Sequence, residues 1–341
     1  MEPIRLAMIG FGNVGQGFAQ ILSQRGRDLA DQFGLPLQLV AVCDLGRGSL
    51  YDPGGLDPAA LLETLRTTGR IDSLPAAATG WNAEWTIAAS SADVVVELST
   101  TNLQSGEPAF SYLRQAIEAG KHVVTTNKGP VALHYARLKS LADAHKVQIG
   151  VEGTVMSGTP ALRLGSGLLA AAGIRRIQGI INGTTNYILT QMEGGAAYSA
   201  ALAGAQAQGY AEADPTGDVE GYDAAAKAVI LANLLMGASL SLAEVDRQGI
   251  TALTPRDIGS ARQASERWKL IAKVEKVDGK VSASVRPTRL PMAHPLASVS
   301  GATNAITYTT DLLGDVTLIG PGAGRLETGY ALVCDLLGIY M

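Results

Sequence analysis

The feature that most constrains this chain is the glycine turn after its first apolar run. The segment "IRLAMIGFGNVGQGFAQIL" reads as strand, tight turn and helix. Ile4 to Ile9 is short and mostly apolar, as suits a parallel strand buried on both faces. Gly10, Gly12 and Gly15 then give G-x-G-x-x-G within the run Gly10, Phe11, Gly12, Asn13, Val14, Gly15. The first glycine permits the turn, the second lets a pyrophosphate approach the backbone, and the third lets helix and strand pack closely. The helix N-terminus presents free N–H groups to that anion. Alone the motif has low specificity, so the neighbouring segments carry much of the weight.

Those segments agree with it. "LQLVAVCD" is a second strand ending in Asp44, where such folds place the acid that binds an adenosine ribose. The gap exceeds the usual ~20 residues because residues 23–36 lengthen the crossover. Arg47 either meets a ribose 2′-phosphate or is a solvated loop charge, so both NAD and NADP remain open as cofactors. Asp57 and Pro58 mark an N-cap followed by proline at the first helical position. "ADVVVELST", "KHVVTTN" and "VQIGVEG" are further buried strands, separated by the helices "PAFSYLRQAIEAG" and "HYARLKSLADAHK". This alternation specifies an α/β fold, a Rossmann-type doubly wound parallel sheet with helices on both faces. Its ligands lie beyond the carboxyl ends of the strands, which selects residues 99–102, 125–130 and 152–160.

A chain of 341 residues is too long for one simple core, so two domains are expected. The dinucleotide-binding domain takes residues 1–150 and 310–341, its C-terminal helix returning to it. Residues 151–309 form an α+β substrate and dimerisation domain with a mixed sheet, because strict alternation stops near residue 160. Asp278-Gly279 marks a hairpin turn there, and "NAITYTTD" and "DVTLIG" are two more strands.

Composition excludes several classes. Hydrophobic residues make up 47% and charged residues 17%, with a net charge of -4. That fits a well-buried globular protein and argues against a nucleic-acid binder, which would carry a basic face. The N-terminus lacks a basic region followed by an apolar one, and the uncharged run 228–243 is short of the ~20 apolar residues a membrane span needs. Cys43 and Cys334 lie in apolar segments and read as two buried thiols in a reducing cytoplasm. The four histidines have no metal spacing, and His294 is the one that could approach the active site.

The segment "GYAEADPTGDVEGYDAAAKAV" gathers Glu212, Asp214, Asp218, Glu220 and Asp223 before a single Lys227. Asp223 and Lys227 stand at i, i+4 and share a helix face. An exposed pair of that kind contributes only tenths of a kcal/mol. Here the helix is apolar almost all round, hence buried, and a buried lysine needs a carboxylate partner or a functional reason. Burial also lowers a lysine's pKa towards acid–base use, while a neighbouring carboxylate opposes that shift. Asp214-Pro215 and Asp218 read as a turn and an N-cap. Glu212 has no such architectural reading and suits a substrate ammonium.

Seven segments together carry a closer likeness: "GFGNVG", "VVVELSTTNLQSGEPA", "VVTTNKGPVAL", "EGTVMSGTP", "INGTTNYIL", "GYAEADPTGDVEGYDAAAKAVILANLL" and "GPGAGRLETG". In their order and spacing the chain resembles the homoserine dehydrogenases, from the first strand to the last helix. The resemblance implies reversible NAD(P)-dependent interconversion of L-homoserine and L-aspartate 4-semialdehyde, in threonine, methionine and isoleucine biosynthesis, by a homodimer. It makes Lys227 the proton donor or acceptor, positioned by Asp223, with Lys128 a second lysine near the reacting groups. Glu212 would bind the substrate amino group, with the Tyr210 carbonyl and Asp218 in the same pocket. Backbone N–H groups of Gly183 and Thr184 would receive the carboxylate. Ser99, Thr100, Thr101, Lys128, Gly322 and Glu327 would join the glycine turn, Asp44 and Arg47 in holding the cofactor. A structural Na+ or K+ would sit on carbonyls of Glu152, Val155, Ser157 and Thr159. Arg325 departs from the pattern, where a small or apolar residue is expected. Longer members carry a C-terminal regulatory domain, and this sequence runs only one helix past the glycine loop, so threonine feedback through such a domain is not expected.

Two rivals stand beside this reading. Another two-domain NAD(P)-dependent amino-acid or sugar dehydrogenase would not need Glu212, Asp223 and Lys227 together. A non-catalytic dinucleotide sensor would have no use for two lysines facing the cofactor.

Overall fold

The computed structural model describes residues 2–341, in two units: residues up to Gly158 with Ala323–Met341, and Thr159–Gly322. The first unit runs β1 (Ile4–Ile9), α1 (Asn13–Phe33), β2 (Leu37–Asp44), β3 (Gly48–Tyr51), α2 (Pro58–Thr68), β4 (Ala78–Thr79), α3 (Ala83–Ala89), β5 (Val94–Glu97), α4 (Ala109–Glu118), β6 (His122–Thr125), α5 (Lys128–His145), β7 (Ile149–Gly150) and α6 (Gly153–Met156). Its sheet has the order β4-β3-β2-β1-β5-β6-β7. The five strands expected from sequence are parallel. β3 and β4 add an antiparallel edge that was not expected. The turn between Asp44 and Gly48 is too short for a crossover, so the chain can only fold back beside β2.

Alternate residues of β5 show why the strands are apolar throughout. Val94 and Val96 enter one core cluster with Leu6, Met8 and Phe18, while Val95 enters another with Ile87, Leu113 and Ile117. Both faces are covered by helices, and each such fully buried side chain contributes about 1.5–3 kcal/mol. The order reverses between β1 and β5, and sheets of this kind bind ligands outside the carboxyl ends of the strands at such a point.

The second unit runs α7 (Ala161–Arg163), β8 (Ile174–Ile180), α8 (Gly183–Glu193), α9 (Tyr198–Ala207), α10 (Thr216–Val219), α11 (Tyr222–Leu235), β9 (Asp246–Arg247), α12 (Pro255–Gln263), β10 (Glu266–Val277), β11 (Lys280–Pro291), β12 (Thr303–Thr310) and β13 (Gly314–Pro321). These strands form a mixed sheet, β13-β12-β8-β10-β11-β9. The β10–β11 turn has Asp278 at φ 50° and Gly279 at φ 80°, the left-handed pair that a two-residue hairpin favours. Helix α11 packs on β10 and β11, and α8 on β10 and β12. Because both β12 and β13 belong to this sheet, the chain returns to the first unit at Ala323 rather than at residue 310.

The returning helix α13 (Arg325–Tyr340) lies against α1. Two glycines allow the close approach. A Cβ at Gly17 would collide with the Arg325 carbonyl, and one at Gly329 would stand 2.7 Å from the Phe18 nitrogen. Arg325 therefore opens α13, its carbonyl against α1. Cys43 is buried as expected, whereas Cys334 on α13 is only half-buried, because its helix keeps one face towards solvent.

Candidate active site

The three glycines of the first turn play distinct parts. Gly10 has φ 100°, and a Cβ there would strike the Leu98 carbonyl of the neighbouring strand end. A Cβ at Gly15 would stand 2.7 Å from the Gly10 carbonyl and 2.9 Å from Met8 Sδ, so this glycine sets the α1–β1 spacing. A Cβ at Gly12 would meet nothing within 4 Å. Gly12 is also the N-cap of α1, without any side-chain capping bond. Open space beside an uncapped helix N-terminus fits a pyrophosphate. Asn13 and Val14 form the first residues of α1.

Asp44 braces this turn. Its Oδ2 accepts from Phe11 N at 2.7 Å, and its Oδ1 accepts from Gly46 N at 2.9 Å and Arg47 N at 3.0 Å. Arg47 Nη1 stands 3.4 Å from both carboxylate oxygens. Burial pushes the Asp44 carboxyl up, but the three N–H bonds and Arg47 outweigh it and hold the group below the ordinary aspartate range.

At the ends of β5 and β6 a buried carboxylate was overlooked in the sequence. Glu97 accepts from Ser99 N at 2.8 Å, from Ser99 Oγ, and from Thr125 Oγ1 at 2.9 Å. Burial pushes its carboxyl up against the pull of these donors. Asn127 donates to the Ser99 carbonyl at 3.1 Å and the Thr100 carbonyl at 3.4 Å, and its Oδ1 caps α5 at Gly129 N. Ser99, Thr100 and Lys128 are thereby tied to one scaffold, and Thr100 and Thr101 are exposed. Lys128 is the first residue of α5, a helix that starts six residues before the segment read as helical. The Asn127 cap and Pro130 in the first turn explain the earlier start. A charged residue at the apolar end of "VVVE" was the available signal for Glu97. Glu327 lies in the first turn of α13, its carboxylate folded over Gly324.

In the second unit the acid–lysine pair is made. Lys227, 6% exposed, lies with Nζ 2.8 Å from Asp223 Oδ2 and donates to the Ile181 carbonyl at 2.7 Å. Helix α11 brings this about: alanine-rich sequence favours the helix, the left-handed Gly221 starts it, and residues 224–232 are all buried. Asp218 is not an N-cap, as had been expected. It sits inside α10, whose preceding turn is closed instead by Asp214 accepting from Thr216 N. Burial pushes the Asp218 carboxyl up, and the neighbouring Asp223 charge adds to the shift. Asn182, also overlooked, donates through Nδ2 to Asp218 Oδ1 at 2.6 Å and Asp223 Oδ2 at 3.0 Å. An asparagine just before an apolar helix is a cap signal that sequence can carry.

Gly183 and Thr184 open α8 directly after that asparagine. Thr184 Oγ1 donates to the Tyr210 carbonyl at 2.6 Å, which joins the 209–212 loop to the helix start. The Glu212 side chain is exposed, unlike those of Asp218, Asp223 and Lys227. The His294 ring bonds Gln178 at 3.2 Å and Leu296 N at 3.1 Å. Another lysine, Lys269 on β10, was overlooked: it is fully buried, 3.2 Å from Asn186 Oδ1 and 3.6 Å from Glu193 Oε1.

The residues expected around a monovalent cation are buried. Glu152, Val155 and Ser157 belong to the first unit, and Ser157 has the left-handed φ of 54°. Thr159 opens the second unit, and its carbonyl accepts from Ala161 N at 2.7 Å. Gly322 ends that unit, pressed against the buried Asn304 amide.

A nicotinamide-dependent oxidoreductase needs a dinucleotide cradle and a group that exchanges a proton, and that is the class these two units define. The comparisons narrow it. Residues 10–152 match the family "Homoserine dehydrogenase, NAD binding domain", and residues 160–337 match "Homoserine dehydrogenase". The chain is 48% identical to the NAD(+)-dependent homoserine dehydrogenase of Pseudomonas canavaninivorans over 341 residues, covering 100% of this chain and 97% of that protein. It is 38% identical to the homoserine dehydrogenase of Methanocaldococcus jannaschii, covering 98% of each. The crystal structure of a putative homoserine dehydrogenase from Archaeoglobus fulgidus superposes with a TM-score of 0.89 at 37% identity, covering 99% of each chain. The chain belongs to the homoserine dehydrogenase family.

Proposed function

We propose that this protein catalyses the reversible NAD(P)-dependent interconversion of L-homoserine and L-aspartate 4-semialdehyde. The observation that carries the proposal is the buried Lys227–Asp223 pair. A nicotinamide cofactor held by the glycine turn would supply the acceptor or donor of the hydride at the carbinol carbon. Lys227 as the neutral amine takes the hydroxyl proton as the carbonyl forms, and as the ammonium returns it in the reverse direction. Asp223 holds the ammonium in place. A water-poor setting strengthens both effects, since charges interact more strongly where water is excluded.

The remaining assignments follow from chemistry. The N–H groups at the start of α8, Gly183 and Thr184, receive the substrate carboxylate, as a helix N-terminus receives any anion. Glu212 holds the substrate ammonium, and Asp218 and the Tyr210 carbonyl line the same pocket. The glycine turn holds the pyrophosphate, with Asp44 at the ribose. Ser99, Thr100, Thr101, Lys128, Gly322 and Glu327 are the further cofactor-binding residues.

Both cofactors are used, with modest preference for NAD(H), because Asp44 accepts from a 2′-hydroxyl and repels a 2′-phosphate. The protein works in the cytoplasm as a homodimer through its second unit, where Leu312, Leu313 and Ile319 on one hairpin are 77%, 61% and 54% exposed. A Na+ or K+ on the carbonyls of Glu152, Val155, Ser157 and Thr159 has a structural part. The test of the reaction is a substrate panel with each cofactor, followed at the nicotinamide absorbance. Turnover of L-homoserine, and little of 4-hydroxybutyrate, which lacks the ammonium, is expected. Equal turnover of the two would refute the amino-acid assignment.

A further inference from the structure

Asn182 occupies a position that helix capping alone does not explain. Its Oδ1 accepts from Thr185 N at 2.9 Å and Thr185 Oγ1 at 3.0 Å, a complete N-cap for α8. Aspartate or serine would cap the helix equally well. What only the amide provides is the other end of the side chain. Nδ2 has two protons, and it donates one towards Asp218 on α10 and one towards Asp223 on α11. The side chain is 5% exposed, so both bonds are shielded from water. Asp223 Oδ2, the atom that accepts from Asn182, is the same atom that accepts from Lys227.

We infer that Asn182 is a positioning residue, which holds two like-charged carboxylates together through one amide and so fixes Asp223 under Lys227. Two half-buried carboxylates repel, and one lysine cannot neutralise both. A neutral donor between them removes part of that repulsion without a second positive charge, which would compete with the lysine. The same side chain fixes the first turn of α8, so the proton-exchanging group and the carboxylate-receiving N–H groups share one anchor. The inference rests on the homoserine dehydrogenase reading for what Lys227 does.

Asn182→Asp and Asn182→Ser separate positioning from capping, because both keep the cap. The serine is too short to reach the carboxylates, and the aspartate faces them with a third negative charge. With melting temperatures near that of the unaltered protein, kcat for homoserine oxidation is expected to fall roughly 10–10²-fold in Asn182→Ser, the range for a lost hydrogen bond to a charged group. Asn182→Asp should fall further. NADH affinity should hold, and homoserine KM should change less than kcat. Near-unaltered kcat in either folded variant, or a serine variant worse than the aspartate one, overturns the inference. If one variant fails to fold, the other still decides. Turnover of homoserine by the unaltered protein tests the underlying reading separately, since its absence would sink that reading whatever the variants do.

Discussion

Lys227 Nζ stands 2.8 Å from Asp223 Oδ2, one helical turn away, on a helix buried along most of its length. If the lysine exchanges the proton, its loss acts mainly on the transition state. Lys227→Met keeps the stem and packing and removes the amine. We expect kcat to fall roughly 10²–10⁴-fold, the usual scale for general acid–base catalysis, with kcat/KM falling in parallel and NADH affinity little changed. Steady-state kinetics with a fluorescence titration of NADH check this. Near-normal kcat would move the role to Lys128.

Glu212 differs from the buried group in being exposed, with its backbone carbonyl held by Gln206 Nε2 at 3.1 Å. Its carboxylate is assigned to substrate binding alone. Glu212→Gln should therefore raise homoserine KM roughly tenfold or more, as the loss of a charged hydrogen bond does, with a much smaller change in kcat. A fall in kcat at constant KM would give Glu212 a part in the chemistry instead.

Arg47, whose guanidinium lies 3.4 Å from Asp44, is expected to modulate the cofactor preference that Asp44 sets. A 2′-phosphate would have to draw it away from that carboxylate. Arg47→Ala should weaken NADPH binding more than NADH binding, measured by calorimetry at fixed salt. Equal losses would show that Arg47 does not read the phosphate.

Much of this was legible in the sequence, and the omissions have physical causes. The glycine turn and the five parallel strands follow from local pattern, because both sheet faces are buried and each strand is apolar throughout. The β3–β4 edge was missed because four residues of "GSLY" and two of "AT" carry no periodicity. The pairing of Asp223 with Lys227 follows from i, i+4 spacing. Glu97 and Asn182 were missed because their importance lies in partners far along the chain, Thr125 and Asp218 among them. No local rule reveals those partners. Asp218 was misread for the same reason: near a turn it resembles a cap, and only the fold shows its oxygen facing Asn182.

Asp44 also contributes an acid dependence to stability. Its folded pKa lies below the ordinary value. The stability it contributes is therefore present above the unfolded aspartate pKa, about 3.9, and is lost as pH falls through the lower folded value. Asp44→Asn should be less stable near pH 7, and its melting temperature should depend less on pH between about 5 and 2. Thermal melts across that range decide it. Parallel curves for the two proteins would mean that the carboxylate does not brace the glycine turn.

Hydride passes from homoserine to the nicotinamide, in the reaction proposed above, while Lys227 takes the proton. L-Homoserine carrying two deuterium atoms at the carbinol carbon, incubated with NAD+ and the protein, is the substrate that decides it. The account predicts one deuterium per nicotinamide in the NADH recovered for mass spectrometry, together with deuterated aspartate 4-semialdehyde, and almost none with Lys227→Met in the same time. Unlabelled NADH, or no NADH from a protein that binds the cofactor, would contradict it.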